Sequence, residues 1–207
     1  HYDEKLSKIF FEDLAIPKPD IELEIGSGSH AQQTAEIMKR FEPVLRAEQP
    51  DAVLVVGDVN STIACALVTS KFLLERTFRA RLDGGVVERR RPITIHVEAG
   101  LRSRDDDMPE EINRILTDQM ADLMYTTDRA AMDQLLHEGI PAERAHFAGN
   151  VMIDSLLHHR PSAVSPETTL TRAGLPAALI EERAGFGVVT LHRPSNVDEP
   201  EALRAAL

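Results

Sequence analysis

Ala52-Val53-Leu54-Val55-Val56-Gly57-Asp58-Val59-Asn60-Ser61 and, further on, Ile93-Thr94-Ile95-His96-Val97-Glu98-Ala99-Gly100 decide the fold. Each stretch opens on a β-branched apolar run and closes on a carboxylate followed by small or turn-forming residues. That is the pattern of a strand buried in a parallel sheet. Ligands of open α/β sheets bind just outside the carboxyl ends of the strands, which puts Asp58 and Glu98 where chemistry is done. Two plainer roles compete: Asp58 as a cap on the next helix, and Glu98 as a partner of Arg102.

Working outward, helix and strand signals alternate, as βαβ units around a mostly parallel sheet require. Ile37, Met38, Phe41, Val44 and Leu45 mark an amphipathic helix over 30–48. After the strand 52–57 a helix starts at about Ser61, with Asn60 or Ser61 as its cap. Pro109-Glu110-Glu111 opens a helix to about Ala121, with proline in the first turn and acids against the dipole. A strand over 123–126, a helix from Asp128 to Leu136 stopped by Gly139, a strand over 145–148 and a helix over 151–159 follow. Pro161, Ser162, Ser165, Pro166, Thr168 and Thr169 then cluster as an interdomain linker. A short helix near 176–184 and a strand over 187–191 are expected to open a second sheet. The domains are therefore expected at 1–160 and, as linker plus the start of a second domain, at 161–207. Segment 75–92 is arginine-rich, carries a Gly84-Gly85 turn and is long for an α-to-β connection. It reads either as a lid or phosphate-attracting patch, or as a solvated surface insertion.

The 207 residues are 43% hydrophobic and 28% charged, enough for a good core in a globular protein. The chain starts at His1 rather than a methionine and stops inside a charged helical pattern, so a piece of a longer protein is expected. A net charge of -11 argues against a nucleic-acid or membrane-surface binder, both of which need a positive field. An anionic small molecule remains compatible, since a local arginine or helix N-terminus can hold a phosphate. The one cysteine, Cys65, sits in an apolar stretch and reads as a small core residue. No apolar run approaches membrane-spanning length, and a cytoplasmic location is expected.

A right-handed crossover leaves the carboxyl ends of both opening strands on one edge of the sheet, and helix N-termini open there too. Asp58, Glu98 and Glu110 are thus expected on one crevice, and His192, ending the strand 187–191, on the wall opposite. Three carboxylates and an imidazole suffice for paired proton transfers, with neither metal nor organic cofactor expected. Glu111 lies about 100° round the helix from Glu110 and is expected to tolerate substitution. Gly26-Ser27-Gly28-Ser29-His30 precedes a helix and reads as a phosphate- or sugar-approaching loop or as a flexible turn, lacking the P-loop lysine. Asp105-Asp106-Asp107 reads as a solvated loop rather than a cation site, and His158-His159 as surface residues.

The residues His1-Tyr2-Asp3, Gly26–His30, Gly57-Asp58-Val59-Asn60-Ser61-Thr62, His96-Val97-Glu98-Ala99-Gly100-Leu101-Arg102 and Pro109-Glu110-Glu111-Ile112-Asn113-Arg114 strongly resemble the non-hydrolysing UDP-N-acetylglucosamine 2-epimerases. Gly149-Asn150 with Asp154, and Leu191-His192-Arg193 with Asn196, continue the resemblance over nearly the whole chain. It implies a Rossmann-like, doubly wound sheet in a GT-B-like two-domain architecture, here with the second domain truncated, and a homodimer. It also implies a UDP-sugar substrate and a reaction in which UDP is eliminated to 2-acetamidoglucal and added back with inversion at C2. Carried over by position, Asp58, Glu98 and Glu110 look like the acid–base carboxylates, and His192 like the histidine at the phosphates. His1, Gly28, Ser29, Asn60, Arg102, Arg114 and Asn196 look like substrate contacts.

Beside lacking the family's N-terminal strand with its Gly-Thr-Arg-Pro-Glu loop and most of its second domain, the chain departs from the family in three places. Pro194-Ser195 stands where a glutamate usually precedes Asn196, the insertion 75–92 is atypical, and Gln32 replaces an arginine of substrate-activated members. The last argues against allosteric activation. Beside UDP-N-acetylglucosamine epimerisation, four readings stay open. They are 2-epimerisation of UDP-2,3-diacetamido-2,3-dideoxyglucuronate, a hydrolysing 2-epimerase, a GT-B glycosyltransferase and a nucleotide-sugar sensor.

Overall fold

The computed structural model describes residues 11, 14, 16–82, 84–175, 187–191 and 194–206. In chain order these form α1 His30–Glu48, β1 Ala52–Val56, α2 Asn60–Lys71, β2 Phe78–Leu82, β3 Gly85–Arg89, β4 Ile93–Ala99 and α3 Pro109–Met120. Next come β5 Leu123–Thr126, α4 Arg129–His137, β6 Ala145–Phe147, α5 Val151–His159, α6 Pro166–Arg172, α7 Pro194–Val197 and α8 Pro200–Ala206. The chain divides into two units, His1–Asp154 and Ser155–Leu207.

Four strands of the first unit form one parallel sheet in the order β1-β4-β5-β6. Each consecutive pair is joined through a helix, as parallel pairing requires. Their chain order never reverses among the described residues. Ala99, Met124 and Ala145 from neighbouring strands pack with Ala121, Leu135 and Ile140, and Leu135 and Met124 are fully buried. A second cluster joins α1 to the end of α2 through Leu45, Phe72 and Leu74. Ser29 caps α1 in a reciprocal box with Gln32, and Asp128 caps α4 through the Ala131 amide.

Several expectations are corrected. Leu54 and Val56, read as buried, are 58% and 49% exposed, because β1 is an edge strand among the described residues with that face uncovered. The N-cap of α2 is Val59, which has no capping side chain; Asn60 is already helical. The 75–92 segment is neither lid nor loose insertion but the antiparallel hairpin β2–β3, with Ala80 and Leu82 buried. Its arginines are anchors: Arg76 pairs with Asp51 at 2.7 Å, Arg90 donates to the Leu74 carbonyl at 2.9 Å, and Arg89 and Arg91 both reach Asp122. The proposed linker holds a helix, α6, capped by Ser165 with Pro166 in its first turn. Residues 187–191 form no regular element, with Val188 and Val189 87% and 71% exposed; no strand among the described residues lies beside them to make a ladder. The helix expected near 176–184 lies outside the described residues.

Candidate active site

The carboxyl edge is built from the ends of β1 and β4. The ladder continues one bond past β1, where the Gly57 amide donates to the Val97 carbonyl at 3.0 Å. There the backbone turns sharply: Gly57 has φ +69°, Glu98 +68° and Gly100 +82°. Glu98 occupies a bulge, the register shifting between Val97 and Ala99. For a residue with a side chain this left-handed conformation is costly, and such strain concentrates at functional sites. Gly100 has to be glycine twice over, since a Cβ would fall 2.4 Å from the Ala131 carbonyl oxygen. At Gly57 a Cβ would lie 3.4 Å from Glu98 Oε2, so the Glu98 carboxylate leans over the residue that precedes Asp58.

Both plainer roles fail. Asp58 does not cap α2; its carboxylate binds the Arg114 guanidinium of α3. Glu98 does not pair with Arg102, which lies between Asp118 at 2.8 Å and Glu138 at 2.6 Å. Among the described residues, Glu98 makes no hydrogen bond or ion pair, and neither does Glu110. Both are half-buried. Two carboxylates therefore remain with their lone pairs open to a ligand.

Helix α3 is fastened against Asp58 on one face. Asn113 donates to the Asp58 carbonyl at 2.9 Å, and Arg114 holds its side chain. Glu110 precedes Arg114 by four residues, which places it on that same face of the helix. Glu111 also reaches Arg114 but turns its carboxylate into the loop at 103–104, and here the sequence expectation of tolerance is corrected. It is 1% exposed, accepts the Ser103 and Arg104 amides at 3.0 and 2.9 Å, and binds Arg114. Burial opposes its charge, but those two amides and the Arg114 charge outweigh burial and hold its carboxyl below the ordinary value. A loop carboxylate clamp was missed because two adjacent acids in a first helical turn look alike until packing chooses between them.

Arg102 and Arg114, expected as substrate contacts, are both taken up by protein carboxylates, and Arg114 also donates to the Leu101 carbonyl at 3.2 Å. Burial disfavours the Arg102 charge, yet Glu138 and Asp118 together keep its pKa above the ordinary arginine value. Glu138 is held low by the same contact. Asn60 donates to Gln33 at 2.8 Å and lies 3.2 Å from His30 Nδ1. His30, Asn60 and Asn113 line a cavity of about 480 Å³ between α1 and α3, whose apolar wall includes Met38 and Ile112. Gly28 and Ser29 form the entry to α1. Asn196 is in α7, within the second unit. His1 and His192 lie outside the described residues. Asp105, Asp106 and Asp107 are exposed, and no group of His, Cys, Asp or Glu among the described residues could hold a metal ion. Cys65 is inert in this setting, burial pushing its thiol up to about 11.

A parallel α/β sheet with helices joining its strands, here with two open carboxylates at its carboxyl edge, defines a Rossmann-like domain. The chain belongs to the UDP-N-acetylglucosamine 2-epimerase family, whose model matches residues 1–75 and 87–207. The stretch left out, 76–86, is most of the β2–β3 hairpin. Over 204 residues the chain is 39% identical to a UDP-N-acetylglucosamine 2-epimerase of Methanocaldococcus jannaschii, covering 99% of this chain and 50% of the relative. Over 205 residues it is 42% identical to the UDP-2,3-diacetamido-2,3-dideoxy-D-glucuronate 2-epimerase of Pseudomonas aeruginosa, covering 98% and 50%. The crystal structure of the Methanocaldococcus jannaschii enzyme in complex with UDP-GlcNAc and UDP superposes with a TM-score of 0.74 at 36% identity, over 100% of this chain and 50% of that one. The fold class is thus a Rossmann-like parallel α/β domain of the kind found in the GT-B-like neighbours, with the second domain truncated. The chain spans about half the length of the curated relatives it matches.

Proposed function

We propose that the full-length protein is a non-hydrolysing 2-epimerase of UDP-N-acetylglucosamine and UDP-N-acetylmannosamine, acting in cell-envelope polysaccharide synthesis. The observation that carries the reading is the pair of unpaired carboxylates, Glu98 and Glu110, beside Asp58 in a chain of this family. Inverting C2 through a glycal needs proton removal on one face and proton return on the other. One carboxylate takes the C2 proton, the C–H electrons form the C1–C2 double bond, and the C1–O bond breaks with its electron pair leaving on the UDP phosphate oxygen. A second carboxyl group then protonates C2 from the opposite face while a UDP phosphate oxygen re-forms the bond to C1. The exchange is redox-neutral and needs a carboxylate and a carboxylic acid in the same site.

In this reading Asp58, Glu98 and Glu110 are the acid–base groups. His192, outside the described residues, supports departure of the phosphate. Gly28, Ser29, Asn60 and Asn196 contact substrate, and Arg102 and Arg114 hold the site's backbone and Asp58. Residues 1–160 form the catalytic domain, and 161–207 the linker and the start of the nucleotide-binding domain. In this reading the protein works as a cytoplasmic homodimer; separately, among the described residues no helix is long and apolar enough to cross a membrane.

Full-length protein incubated in heavy water with UDP-N-acetylglucosamine, without added cofactor, should yield UDP-N-acetylmannosamine carrying one solvent deuteron at C2 by NMR. Complete retention of the original C2 hydrogen in the product would overturn the mechanism. Turnover of the diacetamidoglucuronate nucleotide instead would keep the chemistry and change the substrate.

A further inference from the structure

We propose that the buried pair His96–Asp118 is a positioning device that braces Glu98 and Asp58 against each other, an inference that rests on the function proposed above. Both side chains are fully buried, with His96 Nδ1 2.7 Å from Asp118 Oδ1. The other ring nitrogen, Nε2, donates to the Gly57 carbonyl at 2.8 Å; a carbonyl only accepts, so Nε2 carries a proton, and a second proton lies between Nδ1 and the Asp118 carboxylate. The other carboxylate oxygen of Asp118 accepts the Gly100 amide at 3.1 Å and is paired with Arg102 at 2.8 Å. One side-chain pair therefore grips the backbone immediately before Asp58 on β1 and two residues beyond Glu98 on β4.

What lies between the grips is the strained part of the edge. Glu98 holds φ +68° in a bulge, a conformation costing about 1–3 kcal/mol that persists only when its surroundings over-determine it. Relaxing the bulge by one residue would turn the Glu98 side chain to the opposite face of the sheet, because side chains alternate with a period of two. A hydrophobic core has no need of a histidine and an aspartate here, and burying them is unfavourable unless every polar atom is satisfied. Every one is satisfied, and half of the partners are backbone groups of the two turns that carry the carboxylates. The pair touches no reacting atom. Its work is to keep the Glu98 carboxylate over Gly57.

The test uses His96→Leu, His96→Gln and His96→Asn in the full-length protein. A glutamine amide can take the place of Nε2 and keep the Gly57 bond, while an asparagine amide takes the place of Nδ1 and keeps the Asp118 bond. Well below the melting temperature, His96→Leu should lose ~10²-fold in kcat with KM within about threefold, the pattern of a misplaced catalytic group. His96→Gln should recover at least tenfold of that loss. Amide exchange reads the brace with no substrate at all: in His96→Leu, Glu98 to Leu101 should exchange at least tenfold faster while Leu135 is unchanged. If His96→Leu does not fold, the glutamine and asparagine variants carry the same comparison. Folded variants with wild-type kcat and unchanged exchange over 97–101 would overturn the proposal. If wild type turned over no UDP-sugar while exchange still rose on substitution, the brace would stand and the proposed function would fall.

Discussion

The two edges of the four-stranded sheet treat carboxylates in opposite ways. At the amino edge Asp122, just ahead of β5, is saturated: Arg89 and Arg91 each donate at 2.8 Å and the Thr94 amide at 2.9 Å. Arg144 closes that edge by donating to the Ala121 and Asp122 carbonyls. At the carboxyl edge the side chains of Glu98 and Glu110 have no partner among the described residues, and the backbone at Glu98 is strained. The amino edge is where the hairpin is fastened to the domain; the carboxyl edge is where Glu98 and Glu110 are kept available beside an Asp58 that Arg114 holds. An acid that the fold has neutralised contributes stability, and one that the fold leaves open at a strained turn is available for chemistry.

The largest effect should come from the open side. Glu110→Gln in the full-length protein should lower kcat by ~10²–10⁴ with little change in melting temperature, the usual cost of losing one proton-transfer group. Steady-state kinetics and thermal melts together read it. Its neighbour should behave in the opposite sense. Glu111→Gln removes a buried charge that Arg114 and two amides require, so denaturant titration should show a loss of about 3 kcal/mol. A tolerant Glu111→Gln would mean that the clamp on residues 103–104 is dispensable.

Gly100→Ala sits between the two regimes. The added methyl would meet the Ala131 carbonyl in a backbone conformation that alanine resists, and a loss of about 1–3 kcal/mol in stability is expected. The smallest effect is acid sensitivity. The Glu111 carboxyl is held below its ordinary 4.5, so its contribution is complete above that value and lost as pH falls through the lowered folded value. Below about pH 4.5, stability should therefore fall with acid, and less steeply in Glu111→Gln than in wild type.

Much of this contrast was legible in the sequence. Alternation of helix and strand, Pro109 at a helix start, Asp128 as a cap, and carboxylates ending apolar runs are local signals, and the fold follows them. The hairpin was not read from the sequence, because its arginines drew the reading to a charged surface segment, whereas they alternate with apolar residues in β2 or reach carboxylates elsewhere in the domain. Nor was the division between Glu110 and Glu111, or the role of His96. Both depend on which face of an element meets the core, and neither helix capping nor strand composition fixes that for a single charged residue. The unpaired 187–191 segment fails for a related reason: apolar, β-branched composition makes a strand only where another strand lies alongside.

The most direct test makes the same chemical change at both edges. Glu98→Gln and Asp122→Asn each replace a carboxylate by its amide at nearly constant volume. In the full-length protein, kcat on the UDP-sugar and the free energy of unfolding are measured for both. Glu98→Gln should be folded with wild-type stability and ~10²–10⁴ down in kcat, and Asp122→Asn about 3 kcal/mol less stable with near-wild-type kcat once folded. An active Glu98→Gln enzyme, or an Asp122→Asn enzyme that is stable and inactive, would contradict the division between the edges.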